Sequence, residues 1–209
     1  VSTVVLVRHG RTAWHQPNRY TGSSDVPLDE VGEAQATSLA AWAVSRAFRT
    51  VACSTLVRAR ATADPAAAAL DVPVVADPRL AELDFGWAEG RTLDEVRAAD
   101  PGLADRFLTD PVAHHFPDGE APTAAARRFH AAIADLVAGG SPGPILVIAH
   151  STIIRLHLCD VLGLPLRDYR RRLPVLDPAA ATTLRYPASP GEPIALLGYN
   201  VPIPPGLAP

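Results

Sequence analysis

Three apolar runs in the chain end at cations or imidazoles. "VVLV" (4–7) stops at Arg8, His9 and Gly10, "TVAC" (50–53) leads through Ser54 to Arg58, and "PILVIA" (144–149) stops at His150. Arginine offers forked donors that match phosphoryl oxygens. A histidine can hold a phosphoryl group on a ring nitrogen as a covalent intermediate. Phosphoryl transfer spreads charge over the equatorial oxygens, so a cage of cations and N–H donors supplies most of the catalysis. Helices that begin just after these runs would add N–H groups and positive dipole ends. The leaving oxygen still needs a proton. Glu82, in "LAELDFGWAEG", is the candidate general acid, with Asp84 and Glu89 as nearby alternatives.

The elements that must deliver these side chains are legible from periodicity. The valine-rich run at 4–7 reads as a buried strand. Residues 29–46 read as a helix with Asp29 as N-cap. "TVAC" is a second strand, and Ser54 is expected to cap the following helix, which Pro65 should kink or end at a cost of roughly 3 kcal/mol. "VPVVAD" (72–77) is a third strand, and 97–122 reads as an irregular cap excursion. Residues 123–138 form a helix stopped by Gly139 and Gly140. "PILVIA" is the most apolar strand, and "TIIRLHLCDVLG" is a helix that ends at Gly163. "TTLRY" and "IALLGY" form a hairpin across "PASPGEP", and a proline-rich tail is loose from about 201. The expectation is an α/β fold: a single three-layer α/β/α domain over 1–209, with a mostly parallel sheet, helices on both faces and a C-terminal hairpin. Such sheets bind ligands beyond the carboxyl ends of their strands, which is where Arg8, His9, Arg58 and His150 arrive.

Bulk properties narrow the partners. A chain of 209 residues suits one substantial core, and 48% hydrophobic with 20% charged residues is ordinary for a globular protein. A net charge of -3 argues against a nucleic-acid partner, while leaving a small anionic substrate open. Cys53 and Cys159 lie in apolar runs and read as buried free thiols of a reducing compartment. No stretch reaches the ~18 apolar residues of a membrane span, and no basic-then-apolar leader opens the chain. A cytoplasmic, soluble protein with no membrane partner is expected, and a homodimer is compatible with the sequence.

Five blocks, "LVRHGRTAWH", "RYTGSSDVPLDEVGEAQA", "STLVRARATA", "LAELDFGWAEG" and "VIAHS", together resemble the histidine phosphatase superfamily in its phosphoglycerate-mutase-like branch. They occur in family order, and the late "TTLRY" and Asn200 fit the same pattern. The resemblance implies that His9 is the phosphorylated nucleophile, that Arg8, Arg58 and His150 hold the phosphoryl group, and that Glu82 donates the proton. It also places Thr21, Gly22 and the segment from Arg11 to His15 around the substrate.

Three positions depart from the family pattern. His15 stands where asparagine is usual, which introduces a ring expected to titrate between about pH 5 and 7. Arg11 replaces a common glutamate and should make the mouth more positive. Ser151 replaces a glycine, and its hydroxyl could reach the phosphoryl group. His114 and His115 suggest a metal, but no neighbouring spacing completes a first shell, so neither metal nor cofactor is expected. Arg170–Arg172 read as a solvated helix face that could also steer anions. Trp14, Phe85, Trp87 and Phe116 could equally wall a pocket or pack a core, and His130 and His157 read as structural or exposed.

The resulting expectation is a metal-independent phosphomonoesterase that acts on a small phosphorylated metabolite through phosphohistidine. The nearest alternative is mutase-type phosphoryl transfer, and a second is a non-catalytic binder of phosphometabolites. The family's mutases carry a longer basic insertion after the glutamate and an Arg-His directly behind it. Here Leu83 and Asp84 follow Glu82, and 97–122 contains only Arg97 and Arg106.

Overall fold

A computed structural model describes residues 1–139, 143–189 and 191–204. Six strands form one sheet: β1 (Ser2–Arg8), β2 (Thr50–Cys53), β3 (Val74–Ala76), β4 (Ile145–Ala149), β5 (Ala181–Tyr186) and β6 (Ala195–Val201), in the order β3-β2-β4-β1-β5-β6. The first four in that order run parallel, and the hairpin β5–β6 extends the sheet antiparallel from β1.

Alternation along the strands divides the core. Val4, Leu6, Ile145, Val147 and Ala149 face one layer, whereas Val5, Val7, Leu146, Ile148, Val51 and Cys53 face the other. The second layer is α1 (Glu30–Val44) and α2 (Val57–Leu70), packed through Leu39, Ala43, Ala59, Ala63 and Ala67. The first is α5 (Pro122–Ala138) and α6 (Ser151–Val161), packed through Phe129, Ile133, Ile153 and Leu156. Short helices α3 (Leu93–Ala99), α4 (Pro101–Thr109) and α7 (Tyr169–Arg172) complete that side. Both cysteine thiols are buried and free. Among the described residues, no helix is long and apolar enough to cross a membrane.

Several local expectations are corrected. Residues 97–122 are not irregular throughout: α3 closes there, and α4 occupies nine of the positions, capped by Asp100 with Pro101 at its first turn. Leu103, Ala104 and Phe107 of α4 are buried, so tertiary packing makes a helix of a segment whose Asp and Pro content suggested loop. Pro65 does not end α2. The helix continues to Leu70 because alanines, the best helix formers, flank the proline and its buried face packs on the sheet. Ser54 is not the N-cap of α2. That helix begins at Val57, whose N–H donates to Asp25 Oδ1 at 2.7 Å. Asp29 does cap α1, accepting from the Gly32 N–H at 2.9 Å. The tail is not loose directly after 201, since Ile203 packs on the α1–α2 layer. The expected stop at Gly140, Pro190 of the hairpin loop and 205–209 of the tail lie outside the described residues.

Candidate active site

The carboxyl ends of β1 and β4 adjoin. Arg8 pairs with Ala149 in parallel register, and the His9 N–H donates to the Ala149 carbonyl at 2.9 Å. The next residue on each strand is therefore a histidine, and the His9 and His150 ring centres lie 5.1 Å apart. The Gly10 carbonyl accepts from His9 Nδ1 at 2.7 Å, which places the proton on Nδ1 and leaves the Nε2 lone pair bare. Burial, followed by His150, Arg58 and Arg8, holds His9 well below the usual histidine range. It is a neutral imidazole with one free nitrogen. Gly10 is itself fixed by donating to Thr62 Oγ1 at 3.0 Å, while the Thr62 hydroxyl donates to the Arg58 carbonyl.

His150 is neutral for similar reasons, burial first and Arg58 next. Arg58 Nε donates to its Nδ1 at 3.2 Å, so the proton sits on Nε2, a fully buried donor without a partner. Arg58 is fully buried. Its remaining nitrogens donate to the carbonyls of Ser24, Thr21 and Gly22 at 2.7, 3.2 and 2.8 Å. Neither this guanidinium nor the His150 ring it contacts lines the cavity itself. Arg8 does line it. Burial lowers its pKa to about 10, so it stays charged, and its buried Nε–H has no partner.

Glu82, 7% exposed, lines the cavity too. Its Oε1 accepts from the N–H groups of Leu83 and Ile153, and its Oε2 accepts from Thr152, all at 2.9 Å. Two N–H groups of the first turn of α6, those of Thr152 and Ile153, are thus taken by Glu82, and that of Val57 in α2 by Asp25, because a carboxylate at a helix start is a strong acceptor in a favourable dipole field.

The other expected contacts divide. Thr21, His15 and Ser151 line a cavity of about 370 Å³ together with His9, Arg8 and Glu82. Gly22 does not, and serves instead as the close approach that lets its carbonyl reach Arg58. Arg11 does not line it either. Its Nε is paired with Asp29 at 2.8 Å, so a carboxylate offsets its charge at the mouth. His15 Nε2 accepts from Arg8 NH2 at 2.6 Å, while its Nδ1 lies 3.0 Å from Thr12 Oγ1. Burial and then Arg8 push its pKa down to about 4, so it does not titrate between pH 5 and 7 as its sequence position suggested.

Trp14 and Phe85 face the cavity, whereas Phe116 stacks on Phe107 in the core and Trp87 lies beneath Arg91. His157 is buried against the Tyr186 hydroxyl at 2.8 Å, and His130 sits 3.1 Å from Asp160. Among the described residues, no group of three or more His, Cys, Asp or Glu could hold a metal. Arg155, Arg170 and Asp177 also line the cavity, and no sequence block pointed to them. Arg170 is a correction to the solvated-face reading: its guanidinium carbon lies 5.2 Å from the Phe107 ring centre, while Arg171 and Arg172 remain exposed.

The chain has known relatives in both sequence and fold. The sequence matches the histidine phosphatase superfamily (branch 1) over residues 4–195. The chain belongs to that superfamily. It is 34% identical over 171 residues to a Yersinia pestis protein that bears the name "Probable phosphoglycerate mutase GpmB", covering 80% of this chain and 78% of the relative. A mycobacterial glucosyl-3-phosphoglycerate phosphatase superposes with a TM-score of 0.87 at 26% identity, over 97% of this chain and 100% of that one. The α-ribazole phosphatase of Shigella flexneri gives 0.81 at 25% identity, over 95% and 96%. Membership supports a hydrolase or phosphotransferase, and the fold is that of these neighbours.

Proposed function

We propose that the chain is a phosphomonoesterase working through a phosphohistidine at His9. The observation that carries the reading is the Nδ1–H to Gly10 carbonyl bond, which leaves Nε2 unprotonated among buried cations. Nε2 attacks phosphorus as the ester P–O bond breaks. The leaving oxygen takes a proton from Glu82, whose Oε2 accepts a single N–H and so has room for it. Arg8 Nε–H and His150 Nε2–H, both otherwise without partners, donate to the phosphoryl oxygens. Water then attacks the phosphohistidine, Glu82 accepts its proton, and His9 returns with release of inorganic phosphate. No step requires a metal ion, so chelation should leave the rate unchanged.

Hydrolysis is favoured over mutase-type transfer by what stands beside the cavity. Leu83 and Asp84, not an Arg-His pair, follow Glu82, and neither Arg97 nor Arg106 lines the cavity. Labelled substrate should leave alkali-stable, acid-labile phosphate on His9 in a reaction quenched with alkaline detergent, and His9→Ala should be unlabelled. Loss of turnover in that variant should exceed about a hundredfold. Label on another residue would sink the reading. A phosphoglycerate returned with its phosphate moved, and no free phosphate, would establish the mutase instead.

A further inference from the structure

Two cavity arginines are held in place by neutral groups. Arg155, 9% exposed, donates Nε to the Ser151 carbonyl at 3.1 Å and NH1 to the Leu173 carbonyl at 3.4 Å, and its guanidinium carbon lies 5.1 Å from the Tyr169 ring centre. Arg170 sits over Phe107, with the phenols of Tyr20 and Tyr169 beside it. Among the described residues, no carboxylate lies within 4.0 Å of either, whereas Arg11, Arg19, Arg171 and Arg172 each have one. Carbonyls, ring faces and phenols orient a guanidinium without cancelling its charge. A buried cation without a counter-charge is costly, and an anionic ligand offsets that cost.

Among the described residues, three guanidiniums without a carboxylate partner, those of Arg8, Arg155 and Arg170, line the cavity, while Arg19 is paired with Glu95. Asp177 is engaged with Asn200, whose Nδ2 donates to it at 2.9 Å. Glu82 is the residue that carries the reaction's proton. With that proton in place, Asp177 is the one remaining carboxylate among the residues that line the cavity beside Arg8, Arg155 and Arg170. Arg155 and Arg170 reach the wall from α6 and α7, whereas Arg8, beside the nucleophile, reaches it from β1.

Resting on the phosphomonoesterase reading, we propose that the alcohol portion of the substrate carries its own anionic group, a carboxylate or a second phosphate, bound by Arg155 and Arg170. Tyr20 and Phe85 would flank the carbon skeleton, and about 370 Å³ restricts it to a small metabolite.

Binding to the His9→Ala variant tests this by calorimetry. Glycerol 3-phosphate against 3-phosphoglycerate compares a neutral with a carboxylate-bearing alcohol portion. Fructose 6-phosphate against fructose 1,6-bisphosphate makes the same comparison for a second phosphate. A preference of at least about tenfold in one pair supports the proposal and identifies the group. Adding Arg170→Gln or Arg155→Gln should then cut that preference at least fivefold, while Arg170→Lys keeps it within about threefold. The proposal is overturned if both pairs bind within about threefold, or if the preference is untouched by both glutamine variants. Because a variant without the nucleophile is titrated, these outcomes stand apart from the phosphohistidine reading, which fails separately if wild-type His9 takes no label.

Discussion

Arg8 NH2 donates to His15 Nε2 at 2.6 Å, so the imidazole at this position orients the cation beside the nucleophile. An asparagine amide oxygen could accept the same bond. His15→Asn should therefore change kcat by less than about tenfold, roughly 1.4 kcal/mol of barrier. Since His15 stays neutral down to about pH 4, the variant's pH profile between 5 and 7 should overlay that of wild type. His15→Phe, which cannot accept, should instead raise KM by about tenfold. Steady-state kinetics across that range decide the matter. A collapse of His15→Asn to the level of His9→Ala would put His15 in the chemical step.

Glu82→Gln removes the transferable proton while its amide oxygen can still face the α6 N–H groups. Esters of poor leaving groups should slow by about a hundredfold or more, and aryl phosphates by much less, because their leaving oxygens scarcely need protonation. Parallel rates on glycerol 3-phosphate and para-nitrophenyl phosphate provide the comparison. Equal losses would point to another acid, with Asp84 the first to examine.

Gly22→Ala tests the carbonyl cradle of Arg58. A Cβ there would lie 2.2 Å from the Leu83 carbonyl oxygen and 2.3 Å from Glu89 Oε1, so the loop must shift. Glu89 accepts from the N–H groups of Gly22 and Ser24, and the Arg58 guanidinium depends on the carbonyls of Gly22 and Ser24. Thermal melts should show a loss of about 2 kcal/mol, within the range for a forced backbone shift. The rate should fall with it even at temperatures where the variant is fully folded.

His157 is fully buried, and its pKa is lowered to about 3 by burial first and then His130. Its unfolded form titrates near 6.5, so the unfolded chain binds the extra proton first. The linked stability is complete above about pH 6.5 and is lost as pH falls through that value towards 3. His9 and His150 are depressed in the same direction. Each contributes a slope of up to about 1.4 kcal/mol per pH unit. Denaturant unfolding from pH 7 to 5 should show a steep decline, and His157→Gln should make it shallower by one proton's worth.

Much of the site was legible because its parts sit at strand ends, where a hydrophobic run stops at a charged residue. Arg8, His9 and His150 are of this kind, and parallel pairing brings them together. Arg58 was legible as a site residue, but its role was not: nothing in "LVRARA" reveals that loop carbonyls from 21–24 absorb its donors. Arg155 carried an unused signal, four residues after Ser151 and so on the same face of the helix. Arg170 was hidden inside three consecutive arginines. Successive helical residues diverge by 100°, so one of the three turned inward while the others met Asp168. The α4 helix was missed because its stability comes from burying Leu103 and Phe107 rather than from its own propensity.

The His9–His150 distance is a property of the sheet. Both rings extend from adjacent parallel strands whose spacing is fixed by backbone hydrogen bonds at about 4.8 Å. A slip of one residue between β1 and β4 would turn every side chain of β1 to the opposite face and carry His9 away from its partner. Molecules with misaligned strands would thus be silent in an activity assay, however compact they were. Under the proposed chemistry, the fraction of chains that take up one phosphate in a rapid burst counts the correctly registered molecules in a preparation, and a turnover assay doubles as a measure of folding yield.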